Sequence, residues 1–537
     1  MVGELTDPLD GNPAGPTAMF RARAQAAAQD PDLAAEAASE DSGAVGASVT
    51  LLLAVFALDC WRAVQQSITH DEALAVARSF ADDVHPVHAL LARLSTEALG
   101  VSEWALRLPS LLGALIFLLS ALGLCRLAFG RGWLGFLAFA LLAIDPLLLD
   151  LQSFGRGDGL GLALWMWGAL LLLRFAQGTT AGGESSLGAI RAIAGSLLLG
   201  LAAASCPTVL TAALSLLLVA VAALLAQRRR LPGGATSGRR VRVALAGLLL
   251  VGPPLAALLL WLPLSAGAGL EAVFPGGADG ASLSIADASL AHQAVAQPLA
   301  PDGPFYALVR AGLLFAFVPL LALAVVVRLA RVLRRWKEAT SLAELDGFER
   351  FHALVGGTFL LSLLFAVAAR FALGRPWPDA RAGAPLLVLA LLCGAGLAAE
   401  GWRRGGVWRA ASLAPLAVLV GLLVQFGSQA QMAEYRLWRQ DSAARRGFEQ
   451  IVRQQDKHPR VTVRVAAAER LQPALDYYRV TRRAGWMQPV ESGFDPAQPA
   501  DYVLLPESDA EQPALAHFAL LATDGPAGVV LLERPKE

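Results

Sequence analysis

Acidic and imidazole side chains are concentrated in residues 68–90, a short segment that lies between two long apolar runs. Asp71 and Glu72 are adjacent there, and His85 and His88 follow in the same segment. A carboxylate in such a segment is suited to take a proton from a hydroxyl group or to bind a cation. We therefore predict that Asp71 and Glu72 are catalytic and that His85 and His88 are auxiliary. A merely solvated polar loop is the alternative reading.

Two later segments carry charges that complement these carboxylates. Arg156 and Asp158 lie in SFGRGDG, at the start of one apolar run, and Arg375 and Arg381 lie in GRPWPDARAG, before another. Guanidinium groups bind phosphates through paired hydrogen bonds, which lysine does less well. This pattern predicts phosphate binding by the three arginines and an auxiliary role for Asp158. A simple ion pair between Arg156 and Asp158 at the membrane interface is the alternative.

The composition is that of a membrane protein. Of the 537 residues, 55% are hydrophobic and only 16% are charged. Apolar runs recur from Val49 to Gln429, and about 20 apolar residues suffice for a helix to cross a bilayer. The runs lack the alternation of barrel strands, and the zero net charge provides no field that favours nucleic acid. We predict a mainly α, polytopic bundle of about eleven membrane-spanning helices.

The distribution of arginine and lysine predicts which side each connection faces. The predicted spans cover about 47–64, 107–127, 132–149, 160–176, 187–205, 208–226, 243–263, 306–329, 351–372, 384–400 and 410–429. One set of connections collects most basic residues and is therefore predicted to be cytoplasmic. The other set contains every candidate site residue, so we predict that the site faces the periplasm, across the inner (plasma) membrane.

Three regions follow from these patterns. Residues 1–45 are rich in Ala, Asp, Glu, Gly and Pro, without the pattern of a signal peptide, and are predicted to be a disordered cytoplasmic tail. Residues 46–429 form the membrane domain. Residues 430–537 begin with an amphipathic helix and then alternate strands with helix, which predicts a small extracytoplasmic α/β domain. Because it lacks a phosphate loop and a nucleophile elbow, we predict that it serves docking or substrate recruitment.

Four cysteines, Cys60, Cys125, Cys206 and Cys393, lie inside or at the edge of apolar runs. They are far apart in sequence, so their spacing indicates neither a disulfide framework nor a zinc site. We interpret them as small buried hydrophobic residues.

Several of these motifs resemble those of the GT-C superfamily of membrane glycosyltransferases, within the protein O-mannosyltransferase and aminoarabinose transferase group. The resemblance rests on HDEA with a following His-Pro and WALRLPSLLGAL, on SFGRGD, and on PDARAG. The segment ERLQPALDYYR also resembles the periplasmic α/β domain of bacterial members. The resemblance covers most of the chain from about residue 46.

This resemblance implies transfer of a hexose or pentose, with inversion, from a polyprenyl-phosphate-linked donor to a lipid, glycan or protein acceptor on the outer face. Asp71 matches the catalytic aspartate, which acts as a base on the acceptor, and Glu72 matches the next acidic position. Arg156 and Arg381 match basic positions near the donor phosphate. Asp158 replaces an aromatic residue of many relatives, so it is expected to bind the acceptor or a cation.

Phosphate is a good leaving group, so we expect no obligatory cofactor or metal. A divalent cation becomes an option only if Asp71 and Asp158 converge. A transporter or flippase for a lipid-linked sugar, or a structural membrane anchor for the C-terminal domain, are the alternative functions. Transporters tend to have repeated halves and helices that break at mid-depth, whereas these runs are mostly uninterrupted, which favours an enzyme. Membrane lipids are expected partners in every case.

Overall fold

The computed structural model describes residues 31–78, 85–178, 185–228, 235–265, 318–338, 345–374, 378, 380–429, 438–494 and 500–535. The helices of the membrane region are α1 (Pro31–Gln65), α2 (His70–Ala77), α3 (Pro86–Leu99), α4 (Glu103–Phe129), α5 (Trp133–Ala143), α6 (Pro146–Ser153), α7 (Gly157–Gly178), α8 (Ser185–Ser205), α9 (Leu210–Arg228), α10 (Ala235–Leu250), α11 (Gly252–Ser265), α12 (Val318–Glu338), α13 (Gly347–Phe351), α14 (Gly357–Leu373), α15 (Ala380–Arg404) and α16 (Gly406–Gln429). A short 3-10 turn (Pro207–Val209) precedes α9, and a π-helix (His352–Gly356) joins α13 to α14.

The chain is a multi-pass membrane helix bundle, as predicted. Nine helices in the described part of the chain are long and apolar enough to cross a membrane, and α5 with α6 forms a tenth span if this bent pair is counted as one. Each lies over a predicted span. The remaining prediction, 306–329, falls partly outside the described residues, and its described part belongs to α12. The described residues therefore contain nine or ten of the approximately eleven predicted spans.

Two boundaries differ from the prediction. Helix α1 begins at Pro31, so residues 31–45 of the predicted disordered tail are helical. Residues 1–30 lie outside the described part of the chain. The predicted span 132–149 is broken into α5 and α6, which are inclined by 58°. The break has a local cause, because Asp145 caps the backbone of α6 by accepting hydrogen bonds from Leu147 and Leu148.

Helix α7 lies in the middle of the bundle, between α4 and α8. A Cβ atom at Gly113 would lie 2.9 Å from the Cα of Leu160, and one at Gly161 would lie 2.5 Å from the Cβ of Cys206. Glycine at these positions allows the backbones to approach closely, as is common for helices that pack in a membrane. The close packing fixes the first turn of α7, which carries Asp158.

The C-terminal domain is a small α/β unit, as predicted. Its elements are α17 (Ser442–Lys457), β1 (Val465–Ala467), α18 (Gln472–Thr481), β2 (Glu491–Ser492), β3 (Tyr502–Pro506), β4 (Ala519–Asp524) and β5 (Val529–Glu533). The strand order is β2-β1-β3-β5-β4, with β1 parallel to β2 and β3, and with β5 antiparallel to β3 and β4. Strands β2 and β4 were not predicted, since β2 is very short and the pairing of β4 is interrupted by a register shift.

This domain is docked on α2, the helix that carries Asp71. Ile68 and Tyr478 belong to one buried apolar cluster that crosses from the membrane region into the domain. The backbone N–H of Ile68 donates to the hydroxyl of Tyr478 at 2.9 Å, and that of His70 donates to Asp441 at 2.9 Å. The domain therefore holds the segment just before and at the start of α2.

We expect Tyr478→Phe to lower the free energy of unfolding by about 1–3 kcal/mol, because the buried amide of Ile68 then loses its acceptor. Tyr477→Phe is the matched control, since the neighbouring hydroxyl of Tyr477 has no hydrogen-bond partner among the described residues. Its effect should stay within about 0.5 kcal/mol. Unfolding of the detergent-solubilised protein measures both, and equal stabilities of the two variants would contradict this role of Tyr478.

Candidate active site

The two adjacent carboxylates of α2 face different surroundings. The helix starts with a capping box in which the Thr69 hydroxyl accepts from the N–H of Glu72, and the Glu72 carboxylate accepts from the N–H of Thr69. Successive residues of a helix point about 100° apart. The side chain of Asp71 is accordingly 32% exposed, whereas that of Glu72 is completely buried.

Asp71 meets two arginines that come from distant parts of the chain. Its Oδ2 lies 2.5 Å from Nη1 of Arg156, in the loop before α7, and 3.3 Å from Nη1 of Arg381, in the first turn of α15. All three side chains are about one quarter to one third exposed. The structure thus brings together one residue from each of three segments that the sequence marks as candidates. We refer to Asp71, Arg156 and Arg381 as the charged triad.

The triad determines the charge state of Asp71. Burial acts to raise the pKa of Asp71, but Arg156, Arg381 and His70 act in the opposite direction, and the net pKa lies below the ordinary value for aspartate. Asp71 is therefore ionised at neutral pH. While both arginines hold it, it is also a weak base.

Glu72 lies beneath the triad and forms a buried ion pair with Arg107 of α4. Arg107 donates from Nε to Oε1 and from Nη2 to Oε2 of Glu72, both at 2.7 Å, and Oε1 also accepts from the N–H of Gly155 at 2.6 Å. The remaining donors of Arg107 reach the backbone carbonyls of Ala63, Gln66 and Ser67. Both oxygens of Glu72 are thus engaged in the interior, which does not support the catalytic role predicted for Glu72.

Arg107 was missed as a functional residue by sequence reasoning. It lies in WALRLPS at the start of a predicted span, and an ionisable residue at that position is a signal in itself. The sequence analysis also missed a second buried ion pair, between Arg62 of α1 and Asp150 of α6. Each pair joins residues far apart in sequence, so the partner could not be identified from spacing.

Asp158, His85 and Cys206 form a buried cluster behind Arg156. Asp158 Oδ2 lies 3.7 Å from Nε of Arg156, and the Cys206 thiol donates to Asp158 Oδ1 at 3.1 Å. The potential ligand atoms of the three residues lie within 4.8 Å of one another. Arg156 therefore lies between Asp71 and Asp158 and forms an ion pair with each of them.

His88 contacts the backbone of Arg156 indirectly, through Ser110. Its Nε2 is 3.3 Å from the Ser110 hydroxyl, and this hydroxyl donates to the carbonyl of Arg156 at 3.1 Å. The side chain of His88 is buried. His88 therefore supports the loop that carries Arg156, and the structure does not bring it to the triad.

An aromatic pair from two separate segments borders the triad. The Arg381 guanidinium carbon lies 5.5 Å from the ring centroid of Trp438, and Trp438 stacks on Phe154 with 4.0 Å between ring centroids. Cation–π contact of this kind holds a guanidinium in a fixed orientation. Sequence reasoning did not predict Trp438, while the predicted phosphate ligand Arg375 lies outside the described residues.

Part of the chain matches a known protein family. A family model described as dolichyl-phosphate-mannose-protein mannosyltransferase matches residues 83–256, which confirms the predicted resemblance. The matched segment contains Arg156, Asp158 and Cys206 and begins after Asp71. No curated protein matches the chain by sequence.

Among solved structures, the chain is similar to ArnT from Cupriavidus metallidurans in the apo state, with 14% identity, a TM-score of 0.46, and coverage of 90% of this chain and 97% of that chain. The same protein bound to undecaprenyl phosphate gives 15% identity, a TM-score of 0.40 and the same coverage, 90% and 97%. The archaeal oligosaccharyltransferase AglB from Archaeoglobus fulgidus, in complex with an inhibitory peptide and a dolichol-phosphate, gives 12% identity, a TM-score of 0.44, and coverage of 86% and 69%.

Proposed function

We propose that this chain is a membrane glycosyltransferase that transfers a hexose or pentose, with inversion, from a polyprenyl-phosphate-linked donor to a lipid, glycan or protein acceptor. The observation that carries the proposal is the convergence of Asp71 with Arg156 and Arg381. A carboxylate beside two guanidinium groups provides both a base for an acceptor and a site for a phosphate. The match of residues 83–256 to a family named for dolichyl-phosphate-mannose supports the donor class.

The concentration of basic residues in the opposite connections supports an extracytoplasmic position for the triad. The enzyme would then lie in the inner (plasma) membrane, with its N-terminus in the cytoplasm and the C-terminal domain outside. The polyprenyl tail of the donor would lie in the bilayer beside the bundle, while its phosphate lies at the triad. Such a geometry needs no soluble carrier for the donor.

Donor binding would itself activate the base. The donor phosphate is an anion that competes with Asp71 for Arg156 and Arg381, since both guanidinium groups prefer bidentate oxyanions. As the arginines turn to the phosphate, Asp71 loses the two arginine contacts, which lower its pKa more than His70 does. The carboxylate then becomes a stronger base at the moment when the sugar is present.

The bond changes follow from this arrangement. The acceptor oxygen attacks the anomeric carbon and its proton passes to Asp71, while the bond between that carbon and the phosphate oxygen breaks. The electron pair leaves with the polyprenyl phosphate, whose added negative charge Arg156 and Arg381 stabilise. The products are the glycosylated acceptor and the polyprenyl phosphate, and no metal is required for any of these bond changes.

Glu72 serves this reaction as a positioning residue. Its carboxylate accepts hydrogen bonds from Arg107 and from the N–H of Gly155. Gly155 directly precedes Arg156 in the chain. The capping box anchors the same carboxylate at the start of α2. Glu72 therefore fixes the base-carrying helix and the phosphate-binding loop relative to each other.

Arg381→Gln should lower kcat/KM for the lipid-linked donor by about 10- to 150-fold, because it removes charge-assisted hydrogen bonds that each contribute about 1.5–3 kcal/mol. The matched control is Arg93→Gln, which removes an exposed guanidinium whose one ion pair within the described part of the chain is with Glu97, at i,i+4. Its effect on transfer should be less than about twofold. Steady-state transfer in proteoliposomes with varied donor concentration measures both, and equal activities would exclude Arg381 from donor binding.

Mass spectrometry of surface glycans from cells with and without this chain tests the function itself. A sugar that is missing when the chain is absent, and restored by the wild-type chain but not by Asp71→Asn, supports the transferase. Accumulation of a lipid-linked sugar at the inner leaflet would instead indicate a flippase. Unchanged glycans with intact lipid-linked sugar would leave only the anchoring function.

A further inference from the structure

The buried cluster of His85, Asp158 and Cys206 contains three metal-binding side chains that the proposed reaction does not use. His85 directly precedes α3, Asp158 is in the first turn of α7, and Cys206 lies at the junction of α8 with the 3-10 turn. Their ligand atoms lie within 4.8 Å of one another, and the residues are 3%, 4% and 1% exposed, respectively. Three different elements therefore present one ligand each to the same small volume.

One atom of the cluster lacks a partner that its burial would require. Asp158 Oδ2 accepts no hydrogen bond within the described part of the chain, although the atom is buried. The Nε of Arg156 lies 3.7 Å from this oxygen, which is beyond hydrogen-bond distance. A buried carboxylate oxygen without a hydrogen bond is costly, and a metal ion at this place would satisfy it.

The donor set selects the class of ion. One imidazole nitrogen, one carboxylate oxygen and one sulfur are ligands typical of Zn²⁺, whereas Ca²⁺ and Mg²⁺ prefer oxygen alone. Asp158 as a carboxylate and Cys206 as a thiolate would neutralise a divalent cation, with His85 neutral. A site without net charge is compatible with burial and with the neighbouring Arg156.

We propose that His85, Asp158 and Cys206 bind a divalent transition-metal ion, with Zn²⁺ as the preferred ion. On a tetrahedral zinc, with bonds of about 2.3 Å to sulfur and 2.0–2.2 Å to oxygen, the two ligand atoms would lie about 3.5–3.7 Å apart. Cys206 Sγ and Asp158 Oδ1 lie 3.1 Å apart, so they need to separate by only about half an ångström. Binding replaces the shared thiol proton, which leaves to solvent, by the metal. Three protein ligands leave one coordination position for water or a further group.

Such an ion would affect the proposed active site through Asp158 and Arg156. It would link α3, α7 and the α8–α9 junction, and it would neutralise Asp158, which otherwise competes with Asp71 for Arg156. The ion would hold these elements together, and its site is distinct from a metal shared by Asp71 and Asp158. The inference stands whether or not the chain transfers a sugar.

Metal analysis of the full chain tests this inference. The protein is purified in detergent without a histidine tag, dialysed against Zn²⁺ and then against metal-free buffer, and its zinc is measured by inductively coupled plasma mass spectrometry. We expect about one zinc per wild-type chain and less than about a fifth of that in Cys206→Ala and His85→Ala. Cys393→Ala, which removes a thiol from the bundle core, is the matched control and should keep the wild-type content.

Cobalt provides a second measurement, in which the wild-type chain alone already gives a result. Wild-type protein loaded with Co²⁺ should show thiolate-to-cobalt charge-transfer absorption, and Cys393→Ala should show the same band. Three outcomes would each overturn the proposal. The wild-type protein could contain no zinc after loading, the thiolate band could be absent, or Cys206→Ala could contain as much zinc as Cys393→Ala. Loss of zinc in the two ligand variants, with the band in wild type, supports it.

Discussion

Asp71→Asn is expected to reduce the rate of sugar transfer by about 10²- to 10⁴-fold, the range that a positioned general base contributes. Asparagine has nearly the same shape and can still accept hydrogen bonds from Arg156 and Arg381, but it cannot take a proton from the acceptor. The loss should therefore appear in kcat more than in donor binding. Transfer from a polyprenyl-phosphate-linked sugar in proteoliposomes measures it.

The control for this variant is Glu97→Gln, at an exposed carboxylate on α3 whose one ion pair among the residues that the structure describes is with Arg93. It should retain wild-type transfer. The unfolding midpoint of Asp71→Asn should stay near the wild-type value, because an ion pair at a partly exposed site contributes little to stability. Retained turnover in Asp71→Asn would remove Asp71 as the base and, with it, the mechanism proposed for the triad.

The helical spans could be predicted from the sequence because membrane insertion depends on hydropathy over about 20 residues, which is a local property. The break between α5 and α6 was not predicted, although Asp145 followed by Pro146 is a helix-starting signal inside an apolar run. The apolar composition on both sides concealed it. The start of α1 at Pro31 was missed because residues 31–45 combine alanines with enough polar residues to suggest disorder.

The site was predictable in its members but not in its geometry. Asp71, Arg156 and Arg381 were recognised by charge at the ends of apolar runs, and they meet as expected. Glu72 was predicted to be catalytic together with Asp71, and the 100° rotation per residue of a helix implies that these adjacent carboxylates point in different directions. Trp438 could not have been found, since its contact with Arg381 depends on how the C-terminal domain docks.

The same limit applies to the buried clusters. The spacing of Cys206 from other cysteines suggested a small hydrophobic residue, and only the packing of α7 against the α8–α9 junction brings its sulfur to Asp158. Polar residues inside a membrane bundle are costly unless they are paired, so an isolated one in the sequence predicts a partner without identifying it. Identification requires the tertiary structure.

Glu72→Gln is expected to lower the free energy of unfolding by about 3–5 kcal/mol, since it leaves the guanidinium of Arg107 buried without its counter-charge. Both side chains are completely buried, so water cannot replace the lost interaction. Unfolding of the detergent-solubilised protein measures the loss. Arg107→Gln should cost a similar amount, and the double variant should be less unstable than the sum of the two single variants by about 0.5–3 kcal/mol.

This variant also distinguishes a positioning residue from a catalytic one. If Glu72 fixes α2 and the Gly155 loop, Glu72→Gln loses stability, and the transfer that remains rises when the protein is stabilised by lower temperature or by added donor. Asp71→Asn should respond in the opposite manner, with a stable fold and a rate that no stabilising condition restores. A stable Glu72→Gln protein without turnover would reverse the assignment, because Glu72 would then be the proton acceptor and Asp71 only the residue that orders the arginines.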